Sequence, residues 1–292
     1  MKNRLIALLF NIILSTSLSA QTIHWIIFAD TQDPSNGGEV RNSVSSLTTQ
    51  FIVRINDAIG PKGYSPKQKI YSGSEFTERN CNQVIQNLNC GREDIIVFYY
   101  LGHGGRAYLK ENEEAAYSRT HPWPDLQFNY RSESREFTSL NSIHNKLKQK
   151  GARFTLTIGM CCNKSMSQYK RHGVSTQSKS SKYKTVSKKF AKKIGQRLFL
   201  KYKGDVLVAS AQPGQFSYGG TYNDKDVDCF TAAICETFDK YANNDTGDNV
   251  TWDGFLSEVS VRCTNKAKAE GLKYSEEWIQ KPKRLVNATL SK

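Results

Sequence analysis

Residues 95–105 read IIVFYYLGHGG, and residues 154–165 read FTLTIGMCCNKS. Each is an apolar run of strand length that stops on a reactive side chain: His103 in the first, Cys161 and Cys162 in the second. Each is read as a buried strand, covered on both faces as in a mostly parallel sheet. Outward from this pair, TIHWIIFAD (22–30) is a third apolar run, closed by the turn chemistry of DTQDPSNGG (30–38). Shorter strands are expected at 69–72 and at 205–210, DVLVAS. Leu47, Phe51, Ile52, Ile55 and Ile59 have helical spacing and predict a helix over 43–59. Thr77 is placed to cap a helix running to about residue 89. Further helices are expected at 139–150, ended by Gly151, and at 228–241 and 251–268. Strand and helix thus alternate five times, which implies an α/β fold with helices on both faces of the sheet. In such sheets ligands bind beyond the carboxyl ends of the strands. His103 and the two cysteines sit just past two such ends.

The first twenty residues, MKNRLIALLFNIILSTSLSA, have a basic start, an apolar stretch from Leu5 to Leu14 and then small residues. This is the pattern of a bacterial secretory signal peptide cleaved after Ala20, so a secreted or periplasmic protein is expected. The run falls short of a span, and no later segment approaches the roughly 18 apolar residues that a membrane helix needs. No membrane partner is therefore expected. Export permits disulfides. The seven cysteines, an odd number, leave at least one unpaired within the chain. At most one or two bridges are expected; Cys81 and Cys90 bracket a predicted helix, which disfavours a direct bridge between them.

The net charge is +14, and thirteen Lys and Arg lie between residues 164 and 203 with no Asp or Glu among them. Two readings of this segment stand: a solvated loop followed by an amphipathic helix over 187–202, or a loop open to trypsin-like cleavage. A nucleic-acid binder would spread such charge over a folded face. The export signal also argues against it, so no nucleic-acid partner is expected.

A thiol attacks as its thiolate, and a nearby imidazole both favours that form and carries protons. Gly102, Gly104 and Gly105 allow a tight path around His103, and the Gly104 N–H could face a developing oxyanion. The residue types alone also fit a structural histidine and two packed cysteines, and they leave open which cysteine would react.

YYLGHGG at 99–105 resembles the Y-S-G-H-G signature of the caspase and metacaspase superfamily, peptidase C14. LTIGMCCNKS at 156–165 resembles its second signature, D-x-C-H-S-G, which has a D-C-C-H-S-G variant. VLVASAQPGQFS at 206–217 resembles the strand and loop that line the P1 pocket, and GGTYNDKDVDCFTAAICETF at 219–238 resembles the helix region of the small subunit. The resemblance implies a caspase-like three-layer α/β/α sandwich with a mostly parallel central sheet, one peptidase domain over 21–292. Within it, 21–163 would be the large-subunit-like part, 164–203 a basic linker and 204–292 the small-subunit-like part. It also implies a cysteine endopeptidase acting on peptide or protein substrates, with His103 and Cys162 catalytic. The N–H groups of Gly104 and Cys162 would form the oxyanion hole, and Asp30 and Ser210 would shape a pocket for Arg or Lys. No cofactor is implied, although some metacaspases need calcium. Asp239, Asp245, Asp248 and Asp253 have the composition of a calcium loop without the residue order of an EF-hand, so a polar loop is the expectation.

In one register Met160 stands at the family's Asp, Cys162 at the nucleophile and Asn163 at the His. In the other, Gly159 and Cys161 take the Asp and nucleophile positions. Neither Met160 nor Gly159 can pair with a basic side chain, which leaves Asp30 for that task. Lys164 replaces a small Ser and would crowd the site. These departures sustain a second reading, a catalytically degenerate caspase-like protein that binds peptide or protein partners. By resemblance, the basic linker would be the chain's own substrate, cut after a Lys or Arg between Lys164 and Lys193. His121, His144 and His172 lack metal-ligand spacing with the cysteines, so structural or surface roles are expected. HPWPDLQF (121–128) would border the substrate groove or cover the core.

Overall fold

The central strands form because their apolar runs leave no side for water. Every residue of β3 (Ile95–Leu101) and β7 (Phe154–Met160) is buried, as two-sided coverage requires. The structure, a computed structural model, describes residues 21–106, 111–128, 136–165, 187–244 and 249–291. The expected signal peptide, the middle of the basic segment, and His172, Asp245 and Asp248 lie outside the described residues. No described helix is long and apolar enough to cross a membrane.

One sheet organises the chain. Its strands are β1 (Gln21–Ala29), β2 (Tyr64–Tyr71), β3, β7, β8 (Tyr202–Ala209), β11 (Lys283–Val286) and β12 (Thr289–Leu290). The spatial order is β11-β8-β7-β3-β1-β2, with β12 also on β8. β2, β1, β3, β7 and β8 run parallel; β11 and β12 are antiparallel to β8. Helices α1 (Gly37–Ser46), α2 (Val53–Ile59), α6 (Lys188–Leu200), α7 (Cys229–Asn243) and α8 (Trp252–Leu272) cover one face. Ile95, Val97, Tyr99 and Leu101 point into that larger core. Ile96, Phe98 and Tyr100 point the other way, onto α3 (Glu78–Asn87) and α5 (Leu140–Lys148). The three-layer α/β/α sandwich with a mostly parallel sheet is therefore present.

Several boundaries differ from the sequence reading. α1 begins six residues before the expected start at residue 43, and it joins α2 through a π-helical turn at Leu47–Ile52. β2 starts at Tyr64 rather than at 69, because an edge strand with Ser65–Lys69 exposed and Pro66 within it has no apolar signature. The β9 (Gly219–Tyr222) and β10 (Lys225–Asp228) hairpin was not expected, nor was a small sheet of β4 (Gly104–Gly105), β5 (Asp125–Phe128) and β6 (Glu136–Ser139). A further helix, α4 (Glu111–Thr120), precedes that sheet's second strand. Leu126 and Phe128 are buried in the smaller core, so the 121–128 segment does cover core. All seven cysteines are unbridged.

Candidate active site

β3 and β7 are parallel neighbours in register, with Leu101 opposite Met160. The Gly102 N–H donates to the Met160 carbonyl at 3.2 Å, and the Arg106 N–H donates to the Lys164 carbonyl at 3.1 Å. Between these two ties, residues 103–105 and 161–163 leave the sheet side by side. His103 and Cys162 each stand two positions past a paired residue, so strand register alone brings the two loops together.

Strand alternation then separates the cysteines. Met160 belongs to the larger core and Cys161 to the smaller one. Cys161 is buried, and that burial, helped by the neighbouring Cys162 and Asp125, pushes its thiol well above the ordinary range. Its backbone is clamped: the Cys161 N–H donates to Ser210 Oγ at 3.1 Å, and the Ser210 hydroxyl donates to the Cys161 carbonyl at 3.0 Å. Gly104 lies directly on it, and a Cβ there would stand 2.5 Å from Cys161 Sγ. Cys162 is only partly buried, and its Sγ accepts the Ser217 N–H at 3.3 Å.

His103 is held from two sides. Its carbonyl accepts the Gln127 N–H at 3.0 Å and is also bonded by the Tyr100 hydroxyl. Its Nε2 lies 3.3 Å from Asp33 Oδ2. Asp33 was not singled out in the sequence. Its Oδ1 accepts the N–H groups of Ser35 at 2.7 Å and Asn36 at 3.0 Å, which leaves Oδ2 facing the imidazole. Burial works to raise the Asp33 carboxyl, but the hydrogen bonds from His103 and Ser35 outweigh it and hold the group well below the usual carboxylate range. It is an anion at any working pH.

The other named residues take supporting positions. Ser210 is fully buried, so it acts through Cys161 and through Ser217, whose hydroxyl lies 3.0 Å away. Gln280 ties the same spot, with Nε2 at 3.1 Å from both the Ser210 carbonyl and Ser217 Oγ. Asn163 is fully buried; its amide donates to the carbonyls of Pro122 and Ala211, each at 3.2 Å. The Lys164 ammonium lies 4.6 Å from the ring centre of Phe216, the residue before the Ser217 that bonds Cys162. The Asp30 N–H donates to the Leu101 carbonyl at 2.9 Å, and its charge bears on Tyr100, on the face away from Met160. On the Met160 face, Glu39, Asp226 and Asp228 come together instead; burial, with the charges of Asp228 and Asp226, pushes Glu39 up to about 8.

Three other residues weighed in the sequence have partners elsewhere in the fold. His144 is buried between Thr157 at 2.9 Å and Asp205 at 3.1 Å. Asp239 pairs with Arg54, and Asp253 with Arg284. Among the described residues no group of three or more His, Cys, Asp or Glu is placed to hold a metal ion.

The family model for the caspase domain of peptidase C14 matches residues 59–275. No curated protein matches the chain.

Proposed function

The chain belongs to the caspase-domain cysteine peptidases, and from that premise we propose that it is an exported endopeptidase in which His103 and Cys162 react and cleavage follows Arg or Lys. One observation carries this reading. Of two adjacent thiols, Cys161 is sealed beneath Gly104, while Cys162 is only partly buried, receives the Ser217 N–H and follows a strand paired in register with the one that ends before His103, whose Nε2 faces Asp33.

In the proposed reaction Cys162 Sγ attacks the scissile carbonyl carbon. With Nε2 turned to Asp33, Nδ1 of His103 takes the thiol proton. The carbonyl oxygen becomes an oxyanion held by the N–H groups of Gly104 and Cys162. Collapse of this adduct breaks the C–N bond, and His103 returns its proton to the departing amine. Water, deprotonated by His103, then attacks the thioester, the C–S bond breaks, and the carboxylic product leaves with Cys162 regenerated. Asp33 touches no substrate; it positions the imidazole and offsets the positive charge that His103 carries between steps. Self-processing is proposed after a Lys or Arg between Lys164 and Lys193, in the basic segment.

The test is hydrolysis of Arg-, Lys- and Asp-terminated fluorogenic peptides, with and without calcium, by wild type, Cys161→Ala and Cys162→Ala, each also run on a denaturing gel. Activity on Arg and Lys that survives Cys161→Ala and vanishes in Cys162→Ala is expected. No turnover on any peptide, with an intact chain in both calcium arms, would turn the reading to a degenerate, peptide-binding protein.

A further inference from the structure

Two short paths lead away from the reacting thiol, and both end on the same pair of acids. Along the first, Met160, two residues before Cys162, is buried and accepts the Thr231 hydroxyl on its sulfur at 3.1 Å. The Thr231 N–H in turn donates to Asp228 Oδ1 at 2.7 Å. Along the second, Ser217 donates its N–H to Cys162 Sγ, and Gly219 follows two residues later. Gly219 is paired across the hairpin with Asp228, and a Cβ on it would stand 2.6 Å from Glu39 Oε2. Glu39 and Ser43 lie one turn apart on α1, and Ser43 Oγ accepts the Asp228 N–H at 3.0 Å.

The pair has unused capacity. Asp228 is 7% exposed, and its Oδ2 is buried with no hydrogen-bond partner. A buried carboxylate oxygen without a donor is costly unless a donor arrives. The charged groups around Glu39 do not supply one: Asp226 and Asp228 repel it, and the other titratable groups bearing on the pair among the described residues include three thiols and a phenol, Cys229, Cys235, Cys263 and Tyr99. Lys266 on α8, whose charge bears on Cys229, is engaged by Glu236 at 2.6 Å and by the Thr221 carbonyl at 3.1 Å. Gly219 matters here because any side chain would fill the space against the Glu39 carboxylate.

We infer that Glu39, backed by Asp228, is the specificity determinant that receives the basic side chain of the substrate residue preceding the scissile bond. The inference rests on Cys162 as the nucleophile. It assigns to this pair the task that Met160 cannot perform, in place of Asp30, whose carboxylate bears on the opposite face. A guanidinium or ammonium entering beside Gly219 would meet a desolvated carboxylate, the setting in which such pairs are strongest.

The experiment compares the full chain with Glu39→Gln and Asp228→Ser on two peptides that end in arginine or in citrulline, its uncharged isostere. The serine keeps an oxygen for the Thr231 N–H and so spares the cap of α7. The arginine-over-citrulline ratio of kcat/KM is expected to fall by about 10²-fold in Glu39→Gln, as for loss of one partner of a desolvated ion pair, and to fall less in Asp228→Ser. An equal loss on both peptides, leaving the ratio unchanged, would make Glu39 merely structural and overturn the inference. A wild type that cleaves both peptides without preference would also overturn it, while the peptidase reading stands. If wild type cleaves neither peptide, and a peptidyl acyloxymethyl ketone fails to label Cys162, the peptidase reading falls and takes this inference with it.

Discussion

Replacing Gly104 by alanine drives a methyl group into the floor of the candidate site. The new carbon would stand 2.5 Å from Cys161 Sγ, 2.7 Å from Cys161 Cβ and 2.9 Å from the Asp125 carbonyl oxygen. Relaxed contacts between such atoms are about 3.5–4.0 Å, so something must move by about 1 Å. Neither neighbour yields easily. Cys161 is clamped by Ser210 at both its N–H and its carbonyl, and β4 is paired with β5. Overpacking of this kind costs about 1–3 kcal/mol. A displacement of ~1 Å between His103 and Cys162 is also enough to lower turnover by roughly 10²-fold. Urea unfolding under reducing conditions reads the first effect, and peptide hydrolysis reads the second. The decisive arm is a double-mutant cycle with Cys161→Gly, which removes both Sγ and Cβ. The double mutant should be more stable than the sum of the single changes by about 1–2 kcal/mol. Cys161→Ala, which leaves the 2.7 Å contact in place, should rescue less. Strict additivity in the cycle would refute the packing argument.

Four further outcomes are expected. Cys161→Ala should cost roughly 1–2 kcal/mol of stability by emptying a buried site and retain peptide hydrolysis, whereas Cys162→Ala abolishes hydrolysis; the reverse pattern moves the nucleophile by one residue. Asp33→Asn should lower kcat by on the order of 10²-fold or more, with KM within about twofold, because it changes orientation and charge rather than substrate contact; a pure KM effect would contradict that role. Glu39 is raised in the folded chain from 4.5 to about 8, so the stability it confers is fully present below pH 4.5 and is lost as pH climbs to about 8. Wild type should therefore weaken relative to Glu39→Gln over that window, and parallel stability curves would contradict the assignment. Asn163→Ala removes two buried amide hydrogen bonds and should destabilise by about 2–3 kcal/mol, measured by urea midpoint; a change under 0.5 kcal/mol would mean that the Pro122 and Ala211 carbonyls are satisfied without it.

The sheet was legible because β1, β3, β7 and β8 each hold a largely apolar run, as burial on both faces demands, with buried polar exceptions such as His24, Thr157 and Asp205. The carboxyl ends of those runs also put His103 and the two cysteines in one candidate site on paper. The first half of β2 escaped because a sheet edge tolerates Pro66 and the exposed Lys67 and Lys69. The β9–β10 hairpin escaped because its strands are four residues long and its turn, Asn223 and Asp224 with positive φ, has no glycine to announce it. Asp33 is hidden in a segment that reads as turn chemistry, and two of its Oδ1 hydrogen bonds are indeed turn bonds. Only the fold turns Oδ2 toward His103. Glu39 and Asp228 are 189 positions apart, and nothing in either neighbourhood signals the other. The two acids meet because α1 packs against the hairpin, with Ser43 bonded to the Asp228 N–H.

β7 and β8 flank the basic segment in the chain, yet they are adjacent parallel strands, with Phe154 opposite Gly204 through Gly159 opposite Ala209. The Asn163 N–H adds a tie to the Gln215 carbonyl at 3.0 Å, and the Gly214 N–H donates back to the Asn163 carbonyl at 2.8 Å. A chain severed between these strands therefore keeps its two pieces interleaved: the break would fall in sequence, while the contacts that make the particle run straight across it. Such a nick would be invisible to size-exclusion chromatography and plain on a denaturing gel. Fragments 21–165 and 187–292, made separately, are natural partners for reassembly by complementation, each completing a sheet that the other cannot build alone.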